Sequence, residues 1–127
     1  MIGDAIAALI QERIQWIRKF KHTDPRAIQG LIEVNLDRRA GHTTAAMVLL
    51  AAHEDAVMFV FDDRAKDRFR GMANFDRIFP YRVADQVKGV KAGIAILDDY
   101  SCAEHKSAER LIAMWRLDPL FIEIRLG

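Results

Sequence analysis

The sequence predicts an α/β protein, a three-layer sandwich with a mainly parallel sheet of four or five strands. The first observation is that short apolar runs, typical of strands buried on both faces, alternate with helical patterns along the chain. The second is the length of 127 residues, which fits one domain, residues 1–127. The third is composition, because 51% hydrophobic and 29% charged residues supply both a packed core and a solvated surface.

The first 22 residues predict an amphipathic helix that ends near Lys21 and packs on the rest of the domain. Its apolar residues recur at spacings of three and four, namely Ile2, Ile6, Leu9, Ile10, Ile14, Ile17 and Phe20. Trp16 lies on an apolar stripe, as does Trp115 far along the chain, so both are predicted to be core or interface residues. A loop with Pro25 follows the helix.

Four apolar runs predict the main strands. They lie at residues 31–36, 56–61, 93–101 and 120–126, and residues 78–83 predict a short additional strand. Pro80 confines this additional strand to an edge of the sheet, because proline cannot donate a ladder hydrogen bond.

The segments between the strands have helical patterns. Residues 42–54 are rich in Ala, Leu and Met, residues 64–72 are strongly charged, and residues 84–88 predict a helical turn. Ser101 and Glu104 have the spacing of a capping box, which predicts the start of the last helix there.

Composition argues against several functional classes. The net charge of +1 gives no overall attraction to nucleic acid or to a membrane surface. Cys102 is the single cysteine, so no intramolecular disulfide forms and a reducing compartment is expected. The N-terminus lacks the basic start and continuous apolar run of a signal peptide, and we expect a cytoplasmic protein.

The segment LDRRAGHTT, residues 36–44, lies between a predicted strand and a predicted helix. A phosphate-binding loop needs this position, because backbone N–H groups and the helix dipole at a helix N-terminus favour an anion. Gly41 would let the backbone approach a phosphate closely, and Thr43 offers a hydroxyl group for magnesium. Asp98 ends a buried strand, where its carboxylate would lie beside the loop, and Asp99 follows it.

These two segments resemble the Walker A and Walker B motifs of the P-loop nucleoside triphosphatases. The first motif, G-x-x-x-x-G-K-[ST], aligns with residues 36–43, where Gly41 and Thr43 match. Leu36 replaces the first glycine and His42 replaces the lysine. The second motif matches at residues 94–98, and Asp99 falls where many members carry a catalytic glutamate. The segment also resembles small phage-encoded ATPase-like proteins, which would place the chain in a host cytoplasm.

The resemblance implies a P-loop fold and a set of functional residues. It implies ATP or another nucleotide with Mg²⁺ as cofactors, Thr43 and Asp98 as metal ligands, and Asp99 as a catalytic residue. The nucleotide-binding residues that it implies are Arg38, Arg39, Ala40, Gly41, His42, Thr43 and Thr44. In the family branch that inserts a strand between the two motif strands, residues 120–126 would be that strand.

His42 predicts impaired hydrolysis. The family's lysine supplies a permanent positive charge to the departing phosphoryl group, whereas histidine is charged only below about pH 6.5. The leading hypothesis is therefore a nucleotide-binding, or nucleotide-binding-derived, regulatory or interaction module. The alternative is an active Mg²⁺-dependent ATPase in which Arg38 or Arg39 replaces the lysine.

Two kinds of macromolecular partner remain as hypotheses. The predicted sheet stops before the fifth strand usual in that branch, which leaves an edge for a protein partner or a homo-oligomer. Nucleic-acid binding is the further alternative, through a basic cluster in residues 64–77 with aromatic neighbours. That cluster contains Arg64, Lys66, Arg68, Arg70 and Arg77, with Phe69 and Phe75 beside it. We expect Arg64 and Arg68 to lie on a peripheral helix, away from any nucleotide.

Overall fold

The computed structural model describes residues 2–23, 30–35, 41–72, 74–87 and 89–127. It has an α/β fold around a five-stranded sheet whose four neighbouring strand pairs are all parallel. The strands are β1 (Leu31–Val34), β2 (Ala56–Val60), β3 (Ile78–Pro80), β4 (Ile94–Leu97) and β5 (Ile122–Leu126). The predicted α/β class, the parallel sheet and the strand number are confirmed.

The strand order is β1-β5-β4-β2-β3. Strand β5 thus lies between β1, which precedes the first candidate motif, and β4, which belongs to the second, and this is the order that the resemblance implies for one branch of the family. Strand β3 lies at an edge, where Pro80 removes no internal ladder hydrogen bond.

The described residues form four α-helices and three 3₁₀ helices, of which α1 precedes the first strand and the others follow it. The α-helices are α1 (Ile2–Thr23), α2 (His42–Ala52), α3 (Asp63–Asp67) and α4 (Glu109–Trp115). The 3₁₀ helices are Phe75–Arg77, Tyr81–Gln86 and Ala103–Ala108. No described helix combines the length and the apolar composition needed to cross a membrane.

One face of the sheet is covered by α1 and α2. Ile10 and Ile14 of α1 and Leu49 of α2 are buried in the same cluster as Met58 and Ile96 of the sheet. Their spacing places them on one side of each helix, so that burial of this side holds both helices on the sheet.

The opposite face is covered by α4 and by the 3₁₀ helices Tyr81–Gln86 and Ala103–Ala108, which completes three layers. Phe59 of β2 is the centre of this second cluster, with its ring centroid 5.8 Å from Tyr81 and 6.0 Å from Trp115. Alternate residues of β2 thus enter different clusters, because successive side chains of a strand point to opposite faces. The predicted burial of Trp115 is confirmed, whereas Trp16 is 40% exposed and does not belong to the core.

On this second face, β5 and β1 carry charged side chains instead of apolar ones. Glu123 is 2% exposed and pairs with Arg116 at 2.7 Å and with Arg125. Arg125 also reaches Glu33 of β1 at 2.7 Å. The charge of the buried Glu123 carboxylate is therefore neutralised by neighbouring guanidinium groups.

One predicted helix end and one predicted helix start are wrong. Asp62 caps α3 by accepting a hydrogen bond from the N–H of Ala65 at 2.9 Å, and the helix begins at Asp63, within one residue of the prediction, but ends at Asp67 instead of 72. The capping box at Ser101 does not form, because a 3₁₀ helix occupies Ala103–Ala108 before α4 begins at Glu109.

Candidate functional site

A cleft of about 250 Å³ opens beyond the carboxyl ends of the central strands. Open parallel sheets bind ligands at this edge, where loops and helix N-termini converge. The residues that line the cleft are His42, Thr43, Phe61, Ala65, Arg68, Asp98, Asp99 and Gly127. Four of the sequence-predicted site residues, His42, Thr43, Asp98 and Asp99, are therefore brought together.

The first turn of α2 forms one wall of the cleft. Gly41 precedes the helix with φ of 86°, a left-handed conformation that glycine adopts without strain. Its carbonyl accepts the first helical hydrogen bond from Ala45 at 3.0 Å, and no described side chain caps the helix. The N–H groups of the first turn are thus oriented toward the cleft end of α2, as an anion site requires.

His42 is the first residue of α2, and its side chain is 7% exposed. Among the described residues, its Nε2 atom has no hydrogen-bond partner although the atom is fully buried. Buried polar atoms without a partner are rare, since each costs about 1–3 kcal/mol. The residue His42 also lines the cleft, so its imidazole is a candidate contact for a polar ligand there.

Asp98 and Asp99 lie opposite, directly after β4. The N–H of Asp99 donates to Oδ1 of Asp98 at 3.0 Å, and the hydroxyl of Tyr81 donates to the carbonyl of Asp98 at 2.6 Å. Asp99 has φ of 51°, a left-handed conformation uncommon outside glycine. These contacts fix the chain as it leaves the strand and hold the Asp98 carboxylate at the cleft.

The electrostatics of Asp98 connect the two walls. Burial raises the pKa of the Asp98 carboxyl above its ordinary value, and the neighbouring charge of Asp99 acts in the same direction. The hydrogen bond from the N–H of Asp99 and the nearby charges of His42 and Arg68 lower that pKa. A further cation near Asp98 would therefore stabilise its ionised form.

Arg68 is the site residue that sequence reasoning misplaced. It follows α3 and lines the cleft with Phe61 and Ala65, instead of lying on a peripheral helix. Only Ala65 belongs to α3, since Phe61 precedes the cap Asp62 and Arg68 follows the helix, so no helical spacing in the sequence identifies the three residues together. Arg68 brings a permanent positive charge to the cleft.

The start of α1 contacts the same turn. A β-carbon added to Gly41 would lie 2.8 Å from the Cα atom of Gly3, and one added to Gly3 would lie 2.5 Å from Cβ of Thr44. Gly41 is thus required by its backbone conformation and by its contact with α1, which the sequence does not indicate. Thr44 packs on Gly3 and, unlike Thr43, is not among the residues that line the cleft.

The remaining predicted nucleotide-binding residues, Arg38, Arg39 and Ala40, lie outside the described residues, as does Leu36. The hypothesis that Arg38 or Arg39 replaces the lysine stays a prediction.

The donor atoms at the cleft fit a magnesium ion better than a softer metal. The described residues contain no group of three or more His, Cys, Asp or Glu side chains arranged to hold a metal. Thr43, Asp98 and Asp99 nevertheless bring hydroxyl and carboxylate oxygens to one cleft. Magnesium commonly binds through one or two such oxygens, with water and substrate phosphate as its other ligands.

The structure places members of the basic cluster of residues 64–77 in different settings, and nucleic-acid binding through the cluster stays a prediction. Arg77 donates to the carbonyls of Ala56 and Lys91, both at 2.8 Å, and Arg70 pairs with Asp67 at 2.8 Å. Phe69 is 1% exposed and cannot stack on a base.

No protein-family model, curated protein or solved structure matches this chain.

Proposed function

We propose that the chain is a nucleotide-binding protein of the P-loop type, or one derived from that type, and that its cleft binds the phosphates. The observation that carries the proposal is His42, which begins α2, lines the same cleft as Asp98 and has a buried Nε2 atom without a partner among the described residues. The strand order supports it, because β5 lies between β1 and β4 as in the family branch that the motifs resemble.

The phosphates would bind between the two walls of the cleft. The N–H groups of the first turn of α2 would donate to phosphate oxygens, aided by the helix dipole. His42, with a hydrogen on Nε2, would donate one further hydrogen bond and so satisfy its buried nitrogen. Arg68, across the cleft, would contribute the positive charge that the missing lysine would otherwise supply.

Magnesium would be held by Thr43 and Asp98. When bound, the ion would neutralise charge on the phosphate oxygens. The Asp98 carboxylate is suited to this role because burial raises its pKa and leaves the ionised form in need of a cation.

Hydrolysis is proposed to be impaired, which favours a regulatory or interaction role, viral or cellular. At the position of the family's lysine, His42 offers a hydrogen bond without a permanent charge. A second candidate function is an active Mg²⁺-dependent nucleoside triphosphatase. The presence of Arg68 in the cleft favours it, since this residue could replace the lysine in place of Arg38 or Arg39.

Calorimetric titration with ATP, GTP, ADP and inorganic phosphate, with Mg²⁺ and with EDTA, tests the proposal. We expect at least one nucleotide to bind, and to bind more weakly in EDTA. If neither nucleotides nor phosphate bind at millimolar concentrations, the cleft is not a phosphate site. Steady-state hydrolysis then separates the two candidates: turnover with Mg²⁺ favours the enzyme, and binding without turnover favours the regulatory module.

Asp98→Asn should reduce Mg²⁺-dependent nucleotide binding without lowering stability, because it removes a buried charge and keeps the shape of the side chain. Asp63→Asn is the matched control, since Asp63 also follows a strand but does not line the cleft. Affinity and the midpoint of thermal unfolding should be measured for both variants. Equal losses of affinity and stability in Asp98→Asn would indicate a structural role for this carboxylate.

A further inference from the structure

Helix α1 has a second apolar stripe, which faces away from the core. Three of its residues are separated by seven positions, or two helical turns, and the fourth follows after one more turn. These residues and their exposed fractions are Ile2 (64%), Leu9 (67%), Trp16 (40%) and Phe20 (42%). The rings of Trp16 and Phe20 contact each other, with centroids 4.7 Å apart. The exposed apolar groups are therefore aligned, unlike the scattered apolar residues of an ordinary surface.

Charged residues of both signs border this stripe. A shallow groove along it is lined by Leu9, Glu12, Arg13, Gln15, Trp16 and Lys19. Glu12 and Lys19 are seven residues apart, so they lie on the same margin of the stripe. Arg13 lies over the ring of Trp16, 4.3 Å from its centroid. Such a mixed margin does not favour a partner of a single charge sign and is suited to a surface of matching mixed charge.

We infer that the α1 stripe is a self-association surface, and that its partner is the α1 stripe of a second copy of this chain in antiparallel orientation. When a two-fold axis relates two antiparallel helices, the same margin of each helix meets that of the other. The midpoint between Glu12 and Lys19 lies beside Trp16. With Trp16 near the axis, Glu12 of each copy lies level with Lys19 of the other, which forms two equivalent ion pairs.

The same register brings the apolar residues together. The two Trp16 rings meet near the axis, and Phe20 of each copy lies close to the level of Leu9 of the other. A contact made by one helix per copy is at the low end of interface sizes, so the dimer should dissociate on dilution. This inference is independent of nucleotide binding, because the stripe and the cleft share no residues.

Sedimentation velocity of the full chain over a wide concentration range tests the inference. We expect a monomer–dimer equilibrium that Trp16→Ala shifts to the monomer. Leu117→Ala is the control, since Leu117 is 84% exposed, follows α4 and is not part of the stripe. A wild-type chain that stays monomeric at every concentration overturns the inference. If that monomer binds anionic lipid vesicles, the stripe is a membrane-contacting surface instead.

Charge exchange tests the orientation of the two copies. Glu12→Lys and Lys19→Glu should each weaken the dimer by about tenfold or more at low salt, because each places like charges together at both ion pairs. The double variant restores opposite charges and should return the dimer toward wild-type affinity. A double variant that dimerises no better than either single variant contradicts the antiparallel register.

Discussion

At the scale of single residues, the proposed function divides between His42 and Arg68 two properties that one lysine combines in the P-loop family. His42 has a buried nitrogen without a partner among the described residues, and Arg68 brings a permanent charge to the same cleft. A lysine at position 42 would supply the hydrogen-bond donor and the permanent charge from one side chain. Under the proposed function, this division leaves a site suited to holding a phosphate, with its permanent charge supplied by Arg68, just after α3.

Arg68→Ala should weaken binding of a nucleoside triphosphate by about 10- to 100-fold, because a hydrogen bond to a charged group contributes about 1.5–3 kcal/mol. The effect on ADP should be smaller if Arg68 contacts the terminal phosphate. Arg70→Ala is the control, since Arg70 pairs with Asp67 at 2.8 Å and does not line the cleft. Titrations that give equal affinities for both variants would remove Arg68 from the site.

At the scale of secondary-structure elements, α1 is anchored at its C-terminal end by a buried lysine. Lys21 is 5% exposed and donates to the carbonyls of Pro119 and Phe121, just before β5. Burial lowers the pKa of its ammonium group, and Asp118 opposes this effect. This contact ties α1 to the segment that leads into β5, an internal strand of the sheet.

Lys21→Met should lower the free energy of unfolding by about 1–3 kcal/mol, because methionine has a similar length but leaves these carbonyls without their donor. Lys106→Met, at an exposed position, should change it by less than about 0.5 kcal/mol. Urea denaturation followed by circular dichroism measures both. A Lys21→Met variant as stable as the control would show that the carbonyls find other donors.

His53, at the end of α2, should make stability depend on pH. Burial lowers the pKa of His53, as does the nearby charge of Arg18, whereas Asp55 opposes both. Its Nε2 lies 2.7 Å from Oε1 of Gln11 in α1. The unfolded chain therefore binds a proton at a higher pH than the folded chain, and the free energy of unfolding should fall as pH decreases through about 6.5. His53→Gln should reduce this decrease between pH 7.5 and 5.5, and an unchanged decrease would contradict the assignment.

The elements differ in how well the sequence predicts them. The strands are predictable because continuous apolar runs such as β2 and β4 require burial on both faces. The length of α3 is not predictable in the same way, because the helix is capped by Asp62 and is followed closely by the buried Phe69. The cleft is predictable at Thr43 and Asp98, which belong to motifs, whereas Arg68 enters it through the packing of α3. The proximity of Arg68 to Thr43 and Asp98 follows from the tertiary structure alone.

At the scale of the whole molecule, the strand order should set the order of amide exchange. Strands β5, β4 and β2 have neighbours on both sides, whereas β1 and β3 lie at the edges of the described sheet. Central strands usually open only with global unfolding. Hydrogen exchange should therefore be slowest in β4 and β5 and faster in β1. Slowest exchange in β1 would contradict this strand order.

The contacts around the cleft also link it to folding. Gly3 of α1 packs on Gly41, and Gly127, just after β5, lines the cleft, so the pocket is complete only when the first helix and the last strand are both in place. A folding intermediate that lacks either element would have no complete pocket. A ligand that occupies the cleft would then select the fully folded state and raise the midpoint of the whole unfolding transition as its concentration increases. Ligand binding at the pocket would thus detect only the fully folded chain.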